Sequence, residues 1–213
     1  MANALFKYAF SIVRSFKKFW HLTFFTEKNV SVVSAHTHRL LTDKAQFFEK
    51  SLAALIAFAV LTASSHVAVP VGPVPMTMQT LAVTLTGVFL GPRFGAAVVA
   101  FWVAAGFSGL PIFAMGNGGI AALTGPTAGF LYSFPVIAAM AGWLAGKGGI
   151  LRTFSAMLVA NLACLVIGST WLTVVLAMPV AKAFAVGAAP FVLGAFLKSV
   201  LGALLVKASE RLH

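Results

Sequence analysis

Lys198 is the residue with the largest chemical consequence. It stands eight residues after Pro190 and nine before Lys207, inside the apolar run from about Pro190 to Ala208. On a helix rising about 1.5 Å per residue, that is on the order of 12 Å from either end of the run. A lysine stem snorkels over only part of such a distance. A charge left at the centre of a bilayer costs about 2.5–3.5 kcal/mol on insertion scales. The four acidic residues are Glu27, Asp43, Glu49 and Glu210, so none lies between Lys50 and Ser209. The counter-charge of Lys198 is then expected to be a ligand carboxylate, which would turn the cost of burial into binding energy. Two other accounts stay open: a lysine snorkelling from a less central position, and a neutral buried amine.

Other polar residues gather in two loops. Asn117 sits in Ala114-Met-Gly-Asn-Gly-Gly119. Flanking glycines let backbone come close to a ligand, and the amide offers both a donor and an acceptor; a plain turn residue fits the same pattern. Thr77, Gln79 and Thr80 follow a proline-rich loop and could hydrogen-bond at the same mouth. Trp102, Phe113, Phe130 and Tyr132 could wall a partly apolar pocket, although core packing explains each of them too. His66 falls at the end of an apolar run, where an interfacial role suits it. His36 and His38 flank a threonine, a weak basis for a metal site.

What is missing narrows the function. No P-loop is present, so the chain is not expected to hydrolyse ATP itself. Neither HExxH nor GxSxG occurs. With no carboxylate from Lys50 to Ser209, paired acid/base catalysis and oxygen-ligand metal sites have no donors there. The lone Cys164 lies in an apolar run and cannot complete a disulfide or a thiolate metal site within the chain. No catalytic residue, metal or cofactor is expected, and the chain does not read as an enzyme.

The elements that must position these residues are apolar helices. Of 213 residues, 60% are hydrophobic and 9% charged, against about 25% charged in a typical soluble domain. With a mean hydropathy of +0.98, the lipid bilayer is the natural solvent. Proline, glycine and basic residues divide the apolar part into six segments: about Ser51–Val67, Met76–Leu90, Phe94–Gly109, Pro126–Ala145, Thr153–Met178 and Pro190–Ala208. Several are shorter than the roughly 20 residues a straight span needs, so flanking loop residues must extend them or line a cavity. A short stretch around Lys182 is expected to lie flat on the surface. The fold class is therefore all-α: a six-helix transmembrane bundle over residues 49–213, behind an N-terminal extension over residues 1–48.

The extension is basic and amphipathic. Phe6, Phe10, Val13, Phe16, Trp20 and Phe24 recur at three- and four-residue steps with Lys7, Arg14, Lys17 and Lys18 between them. Such a helix suits an anionic membrane surface. A targeting segment, a start-site extension and a flexible cytoplasmic tail fit as well. The net charge of +11 reads as membrane orientation rather than nucleic-acid binding, because eight of the fifteen Lys/Arg lie in the first fifty residues and most others are single. With both termini in the cytoplasm, Arg93, Lys147, Arg152, Lys207 and Arg211 share that side and only Lys182 falls outside. The loops after the first and third segments then face outward together.

Small residues are spaced for close helix contact. Ala53/Ala57 and Ala59/Ala63 recur in the first segment, and Gly87/Gly91/Gly95, Gly125/Gly129 and Gly142/Gly146 repeat the theme. These pairs serve packing inside the bundle or on a partner subunit.

Taken in order, the loops carry a resemblance. Val71-Gly-Pro-Val-Pro-Met-Thr-Met-Gln-Thr80 resembles the first outward loop of BioY proteins, the biotin-binding S components of energy-coupling factor (ECF) transporters. Leu90-Gly-Pro-Arg-Phe-Gly95 resembles that family's next cytoplasmic turn. Gly109-Leu-Pro-Ile-Phe-Ala114, Gly116-Asn-Gly-Gly119 and Leu123-Thr-Gly-Pro-Thr-Ala-Gly129 resemble its second outward loop, and Pro190-Phe191 followed by Lys198 its last span. The similarity covers about residues 50–208.

The resemblance implies a six-helix bundle in the plasma (inner) membrane that holds biotin near its outer face. It implies a transmembrane T component and cytoplasmic ATPase subunits as partners. An Ala-xxx-Ala surface on the first helix commonly meets the T component, a role that Ala53, Ala57, Ala59 and Ala63 fit. Asn117 and Lys198 match positions associated with ligand binding, with Gln79 and Tyr132 as further candidates. There are departures: Ala195 stands where members often show an Asp, and Phe130 where a Tyr is usual. Loss of the Asp removes a polar partner for the ureido ring or for the lysine. The competing readings are an S component for another small anionic vitamin and a membrane assembly protein with no transport role.

Overall fold

The computed structural model describes residues 32–211, with side chains from residue 46 onward. The amphipathic pattern from Phe6 to Phe24 therefore lies outside the described residues. The chain divides into two compact units, Leu52–Lys207 and a second made of Met1–Ser51 with Ala208–His213. The second is described only in the first part of one helix and the last residues of another.

The helices are α1 (Val32–His66), α2 (Gln79–Leu90), α3 (Pro92–Phe107), α4 (Gly119–Thr124), α5 (Ala128–Ala145), α6 (Ile150–Val175), α7 (Val180–Gly187) and α8 (Val192–Glu210). Single 3-10 turns cover Ala114–Gly116 and Ala189–Phe191. The membrane-length helices lie in apolar, sparsely charged sequence, since backbone that leaves water must bond to itself. Among the described residues, four stretches are long and apolar enough to cross a membrane: Gln46–His66, Ala128–Ala145, Ile150–Val175 and Val180–Glu210. The apolar helices Gln79–Leu90 and Pro92–Phe107 are shorter.

The boundaries follow local chemistry. Between α2 and α3 stands one residue, Gly91, at φ 83, a left-handed conformation that glycine adopts without strain. Pro92 then opens α3, where its missing N–H costs nothing. The loop with Pro70, Pro73 and Pro75 cannot be helical. It closes instead as a two-stranded antiparallel ladder, β1 (Ala68–Val69) against β2 (Met76–Thr77), with Ala68 opposite Thr77 and Val69 opposite Met76. This ladder is the departure from an all-helical expectation. It pairs backbone groups that the prolines deny a helical partner.

Within Leu52–Lys207, α5 packs against α2, α3 and α6. A methyl group on Gly87 would collide with the Ala138 carbonyl of α5, and one on Gly142 with the Gly87 carbonyl. These glycines bring α2 and α5 into backbone contact inside the unit. Trp102 of α3 is fully buried. Its indole N–H donates to Thr62 Oγ1 of α1 at 3.0 Å, and its ring meets Phe113 edge-on at 5.0 Å between centroids. Large apolar side chains also point outward, among them Leu55, Phe101, Trp143, Leu151, Val174 and Leu193, as suits a helix surface whose solvent is lipid.

Candidate functional site

Two loops and five helices enclose one cavity of about 770 Å³, counting the open space at its mouth. The proline-rich loop supplies Val74, Pro75 and Thr77, and the loop before α4 supplies Phe113, Ala114 and Asn117. Gln79 and Thr80 come from α2, Ala122 from α4, and Phe130, Leu131 and Phe134 from α5. From α6 come Asn161, Cys164 and Leu165, and from α8 Ala195 and Lys198. Small-molecule sites are lined mostly by apolar groups with a few placed polar ones. This cavity has that character. Neither α1 nor α3 contributes a lining residue, but both hold the walls. Ser65 of α1 donates to the Ile112 carbonyl at 2.7 Å, and the Trp102 contact braces Phe113.

Lys198 is half-buried and reaches across the cavity from α8 to the start of α2. Its Nζ donates to the Thr77 carbonyl at 2.5 Å and to Thr80 Oγ1 at 3.2 Å. Both acceptors are neutral, so the lysine is held in place without being neutralised. Its position follows from the sequence on both sides: the apolar first half of α8 carries it, and the proline-rich loop turns the Thr77 carbonyl toward it.

Gln79 is 5% exposed. Its Oε1 accepts from Thr77 Oγ1 at 3.2 Å, and its Nε2 has no hydrogen-bond partner. Asn117 is exposed at the mouth. Its backbone carbonyl accepts from the Phe113 amide at 3.0 Å, which closes a tight loop and leaves the side chain at the cavity. A second cavity shares Pro75, Asn117, Ala122 and Thr127 with the first. Those four residues form the neck between the two chambers.

The other sequence candidates fall elsewhere. Tyr132 is 41% exposed and lines neither chamber. Its hydroxyl donates to the Leu123 carbonyl at 2.5 Å, and its ring packs on Phe107 and Trp171. Trp171 in turn donates to the Gly125 carbonyl at 3.0 Å. Two aromatic donors thus hold the end of α4 and the residue that follows it. Ala53 and Ala57 are half-buried, whereas Ala59 and Ala63 are exposed on the face of α1 that also shows Leu55, Ile56 and Val60.

Sequence reasoning passed over Asn161. It is 2% exposed, and its Nδ2 donates to Ser199 Oγ at 3.0 Å. Its Oδ1 has no partner. The available signal was its solitude, as the sole amide side chain in the 26-residue helix α6. Ala195, three residues before Lys198, does face the cavity.

The family model described as "BioY family" matches residues 37–213. A protein of Pyrococcus horikoshii described as a probable biotin transporter BioY is 34% identical over 165 residues, covering 78% of this chain and 96% of that one. A biotin transporter BioY of Thermotoga maritima is 34% identical over 155 residues, covering 73% and 92%. In fold, the chain is similar to the 2.1 Å crystal structure of the S-component for biotin from an ECF-type ABC transporter. The TM-score is 0.72 at 21% identity, with 78% of this chain and 93% of that one covered.

Proposed function

This chain belongs to the BioY family, and from that membership we propose that it is the biotin-capturing S subunit of an ECF-type transporter. It is a multi-pass membrane protein of mostly helical fold, and its function is biotin uptake. The two short apolar helices α2 and α3 complete six spans with the four longer ones. Residues 49–213 form the substrate-binding domain and residues 1–48 a basic cytoplasmic extension. The protein sits in the plasma (inner) membrane with both termini in the cytoplasm, and the proline-rich and glycine-rich loops face outward.

The observation that carries the reading is Lys198. A cation spans the chamber between neutral acceptors, in a stretch of sequence with no Asp or Glu. Biotin brings the missing charge: its valerate carboxylate pairs with Nζ, while the bicyclic head fills the apolar walls. Asn117 hydrogen-bonds the ligand from the neck, and Gln79 offers its free Nε2 from inside. Tyr132 acts at one remove, by holding the Leu123 carbonyl beside the neck. The chain carries no ATPase motif, so partner ATPases and a T component drive reorientation and release, with Ala53, Ala57, Ala59 and Ala63 as the docking face. The chain itself is not an enzyme and needs no cofactor.

Equilibrium binding of labelled biotin to the detergent-purified protein tests this, with Lys198→Ala alongside. Saturable binding that the variant loses is the expected result. Well-folded wild type that ignores biotin overturns the reading. Ala195 in the cavity wall favours one alternative, another small anionic vitamin, and a panel of such vitamins in the same assay separates the two.

A further inference from the structure

The cavity holds two buried amides, each bonded at one end to a neighbouring hydroxyl. Ser199 Oγ has one proton, and it goes to the Ala195 carbonyl at 2.8 Å. Toward Asn161 the Ser199 oxygen can therefore only accept, so Asn161 must present its NH₂ to it, at 3.0 Å. The Asn161 Oδ1 is left as an acceptor without a partner, out of reach of water. Across the chamber Gln79 likewise has one end bonded and one end free. Thr77 Oγ1 gives its proton to Gln79 Oε1 and accepts from the Gln79 backbone N–H at 3.3 Å. That leaves Gln79 Nε2 as a donor without a partner. Buried polar groups are almost always satisfied, and a solitary orphan calls for a reason. The two residues that carry these orphans, Asn161 and Gln79, both belong to the lining of the same cavity.

We propose that Asn161 and Gln79 form a polar clamp for a ureide or cis-amide edge of the ligand. Asn161 Oδ1 accepts from the ligand N–H, and Gln79 Nε2 donates to the ligand C=O. The assignment rests on the biotin reading above, because biotin's only N–H groups are those of its ureido ring. Asn161 is then a specificity-determining residue, and Ser199 positions it by holding the amide in one orientation. The clamp supplies an acceptor for the ureide from α6 in a chain whose α8 offers only Ala195 toward the cavity. It selects ligands by ring chemistry, independently of the carboxylate that Lys198 takes.

The experiment uses two probes on the full chain in detergent: biotin, and tetrahydrothiophene-2-pentanoic acid, which keeps the thioether ring and the acid but lacks the ureide. Asn161→Leu keeps the side-chain size and removes both polar ends. The substitution removes the orphan acceptor, which stabilises, and the bond from Nδ2 to Ser199 Oγ, which costs, so the two roughly offset. The melting temperature of the ligand-free variant is therefore expected to hold. Biotin affinity is expected to fall about tenfold, the value of one hydrogen bond to a neutral group, while the ureide-free acid binds as it does to wild type. Ser199→Ala frees the amide to rotate and is expected to cost biotin about threefold, with the acid again unaffected. Equal loss for both probes with a lowered melting temperature would make Asn161 merely structural and overturn the clamp. Unchanged biotin affinity in Asn161→Leu overturns it too, while leaving the biotin reading intact. Wild type that binds no biotin overturns both.

Discussion

Replacing Lys198 by methionine separates the role of its charge from the role of its length. Methionine reaches nearly as far and carries no charge. In the empty protein two effects oppose one another. The substitution loses the charged hydrogen bonds to the Thr77 carbonyl and Thr80 Oγ1, about 1.5–3 kcal/mol each. It also removes the cost of holding an ammonium in an apolar bundle, about 2.5–3.5 kcal/mol at a bilayer centre. The loss outweighs the relief by up to about 3.5 kcal/mol, so the melting temperature of the ligand-free protein is expected to hold or to fall by up to roughly 10 °C. In the complex nothing offsets the loss. Truncating one partner of a buried charge pair costs about 2–5 kcal/mol, which weakens Kd about 30-fold to about 4,000-fold. Biotinamide, with a neutral carboxamide in place of the acid, closes the cycle. On wild type it should bind weakly, and Lys198→Met should no longer distinguish it from biotin, because each change removes the same interaction. Equilibrium binding of four combinations, two proteins by two ligands, gives the coupling directly. If Lys198→Met binds biotin within twofold of wild type, or wild type binds the amide as tightly as the acid, the carboxylate is not at Lys198.

Other expectations follow from particular contacts. Gly142→Ala drives a methyl into the Gly87 carbonyl and should cost about 1–3 kcal/mol of stability. Gly149→Ala, with nothing within 4 Å, should be close to neutral; equal thermal shifts in the two would contradict the packing argument. Asn117→Ala should leave its loop intact, since the Phe113 amide bonds to the backbone carbonyl. It should weaken biotin about 3- to 10-fold through one lost neutral hydrogen bond, chiefly by faster dissociation, which a release assay reads. Tyr132→Phe removes the bond to the Leu123 carbonyl and should speed release by less than Asn117→Ala does. Leucine at both Ala59 and Ala63, which lie exposed on α1, should preserve biotin binding in detergent and abolish co-purification of a T component. Loss of binding with the partner retained would place the docking face elsewhere.

The helices were legible because hydropathy and punctuation are local properties. The expected segment Met76–Leu90 became α2 from Gln79, and Phe94–Gly109 became α3 from Pro92 to Phe107. In both cases a proline or glycine marks the boundary in the sequence itself. The proline-rich loop was legible as non-helical, while its ladder of Ala68 with Thr77 and Val69 with Met76 was not. Pairing joins residues that no periodicity connects.

For the site, the sequence by itself determined the charge problem. An uncompensated lysine in an apolar run, with no acid from Lys50 to Ser209, raises the question of its counter-charge wherever the helices lie. Asn117 was marked by its glycines in the same way. What surrounds these residues was decided only by tertiary structure. Lys198 meets Thr77 and Thr80 across more than a hundred residues of chain. Tyr132, close to the mouth in sequence, lines neither chamber and instead holds the segment beside the neck. Asn161 reads in the sequence as one polar residue in a long apolar helix. It becomes an oriented acceptor because Ser199 of another helix has already committed its proton. Which end of an amide is left free depends on its neighbours' donors, and those neighbours are brought together by packing.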